Sequence, residues 1–366
     1  LLDRLLDIGV DASDLVSAHL TTGDSSPLPP SAPADHVPSI PRSPLLGAHM
    51  ALAKHLAELL EPSASPSLQP QIQGVRAALS KATALVQLAS STGPDLLSLP
   101  WRLVAFQICL LDAHLFYRIS PHTLLPHTGG LTDSAIRAST DFFNYLSRSV
   151  EYSILIMDDQ AGRVRVLGRW SKIAKALRQL RDFQGLAAIL AGLSTTPVRR
   201  LTRTWGSLSR RATSRVETLR ELMDPQDNYA RYRMDAKGDR AIDTTYTDVL
   251  WTVPFLGVYL LDVTYLRAAD PRIQELLARL VAFRHSSSKY PEFPPPWYFS
   301  LRRKGGGGGN GPGSDGWTGG SGRSAQEEQL LIQQRVITHF LLTRPWVDQT
   351  VVDEMSRVRE EGKSGS

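Results

Sequence analysis

Apolar residues recur at three- and four-residue steps along most of this chain, and strand-like alternation with a period of two is scarce. The clearest stripe is Leu167, Trp170, Ile173, Leu177, Leu180 and Phe183, which predicts a helix with one buried face. Leu186, Ile189, Leu190 and Leu193 form a second, shorter face. Ser194-Thr195-Thr196-Pro197 then ends it, because proline cannot continue a hydrogen-bonded turn. Upstream, Met50, Leu52, His55, Leu56 and Leu59, then Val75, Leu79, Ala82 and Leu85, predict further helices. Downstream, 332–342 and 347–358 predict two terminal ones. The run 249–266 is apolar nearly all round, yet it holds Pro254 and Asp262 and is short for a membrane span. Pro254 is expected in the first turn of a helix, where its missing amide costs nothing. A helix carrying Phe255, Tyr259 and Leu266 cannot turn all three to one core, so it is either buried on every side or reserves a face for a partner. The fold class is all-α.

Composition breaks this helical series into segments. Residues 1–20 read as a short amphipathic helix through Leu2, Leu5, Leu6 and Ile8. Residues 21–46, rich in Pro and Ser, cannot bury a core and read as a linker. Accessory helices follow over 47–94, and the main body over 95–300. The stretch 301–323 is a Gly-rich insertion, flexible by composition. The helices of 324–366 complete the body. They open on Ser324-Ala325-Gln326-Glu327, a capping-box pattern in which serine and glutamate satisfy each other's free backbone amides.

With 366 residues, of which 42% are apolar, the chain is large enough for two domains or one big one. Its single cysteine, Cys109, excludes an internal disulfide framework and a cysteine zinc cluster, which favours a reducing compartment. No secretory leader is visible, and the expected location is cytoplasmic. The net charge of +5 is unevenly spread: 163–220 holds 14 Lys/Arg against Asp182 and Glu217. That segment is either a solvated outer face or a basic surface for nucleic acid or anionic lipid. No aromatic residues interleave with its arginines as single-strand stacking requires, so no nucleic acid is expected.

Bond-making chemistry is hard to find. No Gly-x-Ser-x-Gly elbow occurs. Gly362-Lys363-Ser364 lacks both the earlier glycine of a phosphate loop, whose place Arg357 takes, and a preceding strand. His122 and His127 flank Pro126 without acidic or cysteine partners for a metal. Gly305 to Gly309 has no nucleotide-binding spacing. Neither cofactor, metal nor bond-making catalytic residue is expected.

Four blocks of residues, in order, nevertheless carry a resemblance. The first is Leu99-Pro100, Ala105, Gln107, Leu110-Leu111-Asp112, Leu115-Phe116, Ile119 and Pro121. The second is Phe143-Asn144, Leu146-Ser147, Val150 and Ile154-Leu155. The third is Asp182-Phe183-Gln184, Ala187 to Leu193, Pro197-Val198-Arg199-Arg200-Leu201 and Thr204-Trp205, extended by Asn228-Tyr229-x-x-Tyr232-Arg233. The fourth is Val253-Pro254-Phe255-Leu256-Gly257-Val258-Tyr259-Leu260-x-Asp262. Together they resemble the catalytic domain of the Ras guanine-nucleotide exchange factors, in a divergent form.

That resemblance implies a multi-helix domain with a protruding helical hairpin that wedges into a Ras-family small GTPase and promotes GDP release. Membrane association would be indirect, through the GTPase. By resemblance, Phe255 and Tyr229 line an apolar pocket for the GTPase, Ala187 and Ser194 adjoin it, and Leu261 and Thr264 lie on the wedge's working face. Arg267 and Ala268 fall near the hairpin tip. The chain departs from the family there: Ser194 replaces an asparagine, Ala268 an acidic residue, and the second hairpin arm looks short. Two alternatives stay open: a weak or inactive GTPase-binding scaffold of the same fold, and a basic helical binder of nucleic acid or lipid surfaces.

Overall fold

The computed structural model describes residues 37–60, 68–91, 96–124, 134–237, 251–265, 272–287, 290–291, 293–294 and 325–360. The helix expected over 1–20, the Gly-rich 301–323, Ser324 of the capping pattern, His127, Leu266, Arg267, Ala268 and the 362–364 tail lie outside these residues.

Fourteen α-helices carry the described chain: α1 (Pro44–Leu59), α2 (Gln69–Ser91), α3 (Trp101–Tyr117), α4 (Ser134–Leu155), α5 (Gln160–Gln179), α6 (Phe183–Ser194), α7 (Thr196–Arg199), α8 (Thr202–Gly206), α9 (Arg210–Leu222), α10 (Gln226–Lys237), α11 (Leu256–Tyr265), α12 (Arg272–Ser287), α13 (Ala325–Leu342) and α14 (Gln349–Arg359). Among the described residues there is no strand, only a parallel backbone bridge between Asp182 and Val253. The all-α expectation therefore holds. Two boundaries differ from the sequence reading. Helix α1 starts inside the stretch assigned to the linker, with Pro44 at its first turn. Pro254, in contrast, precedes α11 instead of opening it. Proline biases the residue before it towards extended geometry, which suits Val253 to its bridge.

Helices α3 to α6 form the centre. The predicted stripe Leu167, Trp170, Ile173, Leu177, Leu180 and Phe183 is buried throughout, as are Leu186, Ile189, Leu190 and Leu193 on α6. Asp159 caps α5 and Asp182 caps α6, each carboxylate accepting from the backbone amide three residues on. Helices α4 and α6 cross so closely that a Cβ on Gly192 would lie 2.4 Å from the Ser147 carbonyl oxygen. Only glycine fits that crossing.

The C-terminal helices belong to this same core, through Ile337, Phe340, Leu341 and Val352. Helix α13 joins the body to the accessory pair. On one side Gln334 and Thr338 share the buried Gln107 amide, at 2.8 and 2.7 Å. On another, His339 Nδ1 and Ser43 Oγ lie 2.8 Å apart. At the end of α14 the buried Glu360 carboxylate accepts from the backbone amides of Arg203 and Thr204, at 2.8 and 3.0 Å. It thus supplies negative charge to the N-terminus of α8. A second apolar cluster seats α11 and α12 on the far end of α3, where Leu256, Tyr259, Val263, Ile273, Leu280 and Phe283 meet Phe116 and Ile119.

Candidate functional site

The joint between α5 and α6 sets the geometry of the site. Arg181 adopts φ 59°, in the left-handed region. Its amide bonds to the Arg178 carbonyl and that of Asp182 to the Leu177 carbonyl, which is the double closure of a Schellman cap with arginine where glycine is usual. The side chain is tied down in turn. Its guanidinium donates to Thr252 Oγ1 at 2.9 Å and to the carbonyls of Asp235 and Ala236 at 3.2 and 2.6 Å. The chain before Val253 and the end of α10 are thereby fixed to one point. Phe183 N donates to the Val253 carbonyl and Val253 N to the Arg181 carbonyl, at 2.9 and 3.0 Å.

Directly after that bridge comes Phe255. Its amide donates to Tyr232 Oη at 2.9 Å, and the Leu256 amide to Gln184 Oε1 at 3.0 Å. The Phe255 ring stacks on Phe143, centroids 6.0 Å apart, and meets Tyr229 edge-on at 5.9 Å and Tyr232 at 6.5 Å. Tyr232 is buried against Phe183. Phe143, Tyr229 and Phe255 are only partly buried. The result is an aromatic patch whose floor is core and whose rim faces outward. Gly257 belongs to it, since a Cβ there would lie 2.8 Å from Phe255 Cζ and displace the ring.

The sequence-predicted residues fall in three places. Tyr229 and Phe255 share this patch. Ala187, buried, and Ser194, exposed, lie seven residues apart on α6 and so on one face of it. Gln184, one turn before Ala187, holds the Leu256 amide and connects that face to the patch. Leu261 and Thr264 are exposed on α11, with Thr264 Oγ1 donating to the Leu260 carbonyl. Arg267 and Ala268 lie beyond the described end of that helix. Helices α11 and α12, with 10 and 16 residues, are the elements that the resemblance assigns to the two hairpin arms, and 266–271 between them lie outside the described residues.

Helix α11 resolves the choice posed by its all-round apolarity. Leu256, Val258, Tyr259 and Val263 are buried, whereas Leu261 is 39% and Tyr265 79% exposed. One turn separates those two, so the outer side of α11 carries an apolar strip in solvent. Tyr265 was missed in the sequence reading, although its spacing from Leu261 was there to be seen. Arg233 and Asp262, known from the sequence only as motif residues, are paired: Arg233 donates from both Nη atoms to the Asp262 carboxylate, each at 2.8 Å.

The cap of α6 holds a buried pair of carboxylates. Asp112 on α3 and Asp182 at the α6 cap are 2% and 0% exposed. Among the described residues, both Asp112 oxygens and Asp182 Oδ2 have no hydrogen-bond donor. A Cβ on Gly185 would lie 2.6 Å from Asp182 Oδ2 and 2.8 Å from Asp112 Oδ2, so the two oxygens converge on one spot. Two buried carboxylates cannot both stay ionised there. Burial and then the Asp182 charge push Asp112 well above the usual carboxylate range. Burial raises Asp182 to about 7, opposed by the Gly185 amide it accepts from. A proton on Asp112 would let one of its oxygens donate to Asp182 and so serve two of these three atoms.

The basic segment also has an internal explanation. Arg169 donates to the carbonyls of Leu97 and Leu99, Arg220 to that of Leu193, and Arg163 to those of Met157 and Asp158. Arg215 holds Ser171, and Arg178 pairs with Asp235. Much of that charge therefore joins one element to the next. Among the described residues no group of three or more His, Cys, Asp or Glu is placed to hold a metal, and no helix is long and apolar enough to cross a membrane.

Comparison with known proteins agrees with this arrangement. The chain is similar to "Ras-specific guanine nucleotide-releasing factor RalGPS1" of Gallus gallus, 33% identical over 178 residues, which cover 47% of this chain and 29% of that protein. It is similar to "Ral guanine nucleotide dissociation stimulator-like 3" of Mus musculus, 29% identical over 243 residues, 57% of this chain and 34% of the relative. A yeast protein, "Putative truncated guanine nucleotide exchange factor SDC25" of Saccharomyces cerevisiae, is 30% identical over 152 residues, 42% and 14% of the two chains. The matched part spans about a third or less of each of these relatives. The RasGEF domain itself matches residues 103–285, from the first turn of α3 to the last turn of α12, with the aromatic patch and α11 inside it. By that match, across half of the chain's 366 residues (183 of them), the chain belongs to the RasGEF domain family.

Proposed function

We propose that this chain accelerates the release of guanine nucleotide from a Ras-family small GTPase. The observation that carries the reading is the outward strip of Leu261, Thr264 and Tyr265 on α11, next to the aromatic patch of Phe143, Tyr229 and Phe255. Exposed apolar side chains on a helix whose opposite face is locked into a core are what a partner surface requires.

The mechanism is differential binding. A small GTPase holds its nucleotide through phosphate and Mg²⁺ contacts made by ordered loops. A protein that binds the opened, nucleotide-poor form better than the closed one shifts the balance towards opening. Linkage makes this reciprocal, so every gain for the open form weakens the hold on GDP by the same factor. The patch serves as the anchor, with Ala187 and Ser194 beside it. The α11–α12 hairpin is the wedge, and Arg267 and Ala268 fall in the sequence between its two helices. Rigidity matters here, because a wedge that yields does no work on its partner. Seating on α3 and the bridge at Val253 provide it.

A second reading keeps the surface and drops the acceleration. It rests on Ala268, which puts no negative charge at the tip, and on the neighbouring cation of Arg267. The two readings separate in one experiment with the full chain and GTPases of the Ras, Rap, Ral and Rho types. The relatives' names point to the Ras and Ral types first. An exchange factor binds the nucleotide-free form at least about tenfold more tightly than the GDP-loaded form. A scaffold binds both forms alike. No binding to any of them removes both readings.

A further inference from the structure

Three consecutive residues, Asp227, Asn228 and Tyr229, have φ of 50°, 54° and 59° and ψ of 37°, 50° and 37°. This is a single left-handed turn at the start of α10. Side chains disfavour that region, because Cβ crowds the following carbonyl oxygen. Asparagine and aspartate tolerate it, but a tyrosine stays there only where its surroundings over-determine it. The chain has no glycine between Ser207 and Lys237, so the turn gains nothing from one.

What holds the turn is Arg233. Its Nε donates to the Asn228 carbonyl at 2.7 Å and its Nη2 to Asn228 Oδ1 at 3.1 Å. The same guanidinium forks onto Asp262 of α11 with two bonds of 2.8 Å. Asn228 Nδ2 completes the ring, 3.4 Å from Asp262 Oδ1. One planar group thus grips the turn's backbone, its side chain and the hairpin helix together. A surface ion pair adds little to stability, and this one, 25% and 18% exposed, is not deep. Its geometry does something else. The turn ends on Tyr229, whose ring stands edge-on to Phe255, and Asp262 sits between Leu261 and Thr264.

We infer that Arg233, Asp262 and Asn228 are positioning residues: their fork holds the left-handed turn so that Tyr229 is presented beside Phe255 and in register with the outer strip of α11. The inference rests on the exchange-factor reading for its consequence, but not for its geometry. Lysine cannot replace the arginine, since an ammonium lacks the fork that reaches Asn228 and Asp262 at once.

The test uses Arg233→Lys and Asp262→Asn in the full chain, with two readouts. The first is the Tyr229 Cα and Cβ chemical shifts after ¹³C-tyrosine labelling, assigned with Tyr229→Phe, which report the sign of φ without any GTPase. The second is the nucleotide-release rate on whichever GTPase the unaltered chain accelerates most. Both substitutions are expected to move the Tyr229 shifts away from the left-handed values and to slow release about tenfold. Adding Asp227→Gly to Arg233→Lys is expected to recover both in part, because glycine takes positive φ at no steric cost. A merely stabilising pair would not be rescued that way. Unmoved Tyr229 shifts, or moved shifts with release unchanged within about twofold, would overturn the inference. A chain that accelerates no GTPase, yet shows the shift change and its rescue, defeats the exchange-factor reading and leaves the turn-holding role standing.

Discussion

Phe255 concentrates the account at the scale of single residues. Its amide is fixed by Tyr232, its ring is sandwiched among Phe143, Tyr229 and Tyr232, and Gly257 leaves the space it needs. Truncation removes a centrally placed aromatic anchor. Phe255→Ala is expected to cost about 2–4 kcal/mol of association with a nucleotide-free GTPase, measured by titration, while the chain stays folded by circular dichroism. Phe255 and Tyr229 were legible in the sequence only through their motifs. Periodicity alone cannot say which apolar residue of an all-apolar helix faces out. Tyr265 went unnoticed because a tyrosine beside a core helix reads as core. Arg233 and Asp262 were legible as motif residues but their pairing was not, because an ion pair between residues 29 apart leaves no mark in local spacing.

Helices explain why that residue-scale geometry persists. On the outer strip of α11, Tyr265 is mostly in solvent and Leu261 is partly covered. Tyr265→Ser is expected to change unfolding free energy by no more than about 0.5 kcal/mol, as surface substitutions usually do, and Leu261→Ser to lower it by about 1 kcal/mol. The double variant is nevertheless expected to slow nucleotide release at least about tenfold, read by stopped-flow fluorescence. Unchanged release would place the partner surface elsewhere. Glu360 illustrates the opposite case. It is buried, caps α8, and lies 3.7 Å from the buried Arg163 guanidinium. Glu360→Ala leaves two amides and a cation short of a partner, and is expected to lower urea-measured stability by about 2–3 kcal/mol. The existence of most helices was plain from three- and four-residue periodicity. Their ends were less so: Pro254 signals a helix start, yet its effect on Val253 was to permit a bridge 71 residues away in sequence from Asp182.

At the scale of the whole molecule, the described core carries a buried pair of carboxylates where α3 meets the start of α6. Asp112 and Asp182 are both raised above the values they take when unfolded. Folding therefore binds protons that the unfolded chain releases from about pH 4 upward. Stability from this pair is complete below about pH 4. It falls as pH rises towards about 7, to which burial raises Asp182, and Asp112, also raised by burial and by the Asp182 charge, adds to the fall. Asp112→Asn removes one charge and lets the amide donate to Asp182. The substitution is expected to raise the thermal midpoint at pH 8 and to do so less at pH 5, in matched unfolding scans. An equal effect at both values would contradict a shared proton. None of this was legible beforehand: Asp112 and Asp182 read as residues of two separate motifs, 70 positions apart. Only folding shows that they meet over Gly185. The basic excess of 163–220 was legible as a number, but not its use in joining helix ends.

The most direct test of the central claim is release of fluorescent GDP from Ras-, Rap-, Ral- and Rho-type GTPases, followed with and without the full chain in excess unlabelled nucleotide. The account predicts that at least one is accelerated by about tenfold or more, and that Phe255→Ala abolishes most of that gain. Release at the intrinsic rate from every GTPase, with the chain folded and in excess, would contradict it.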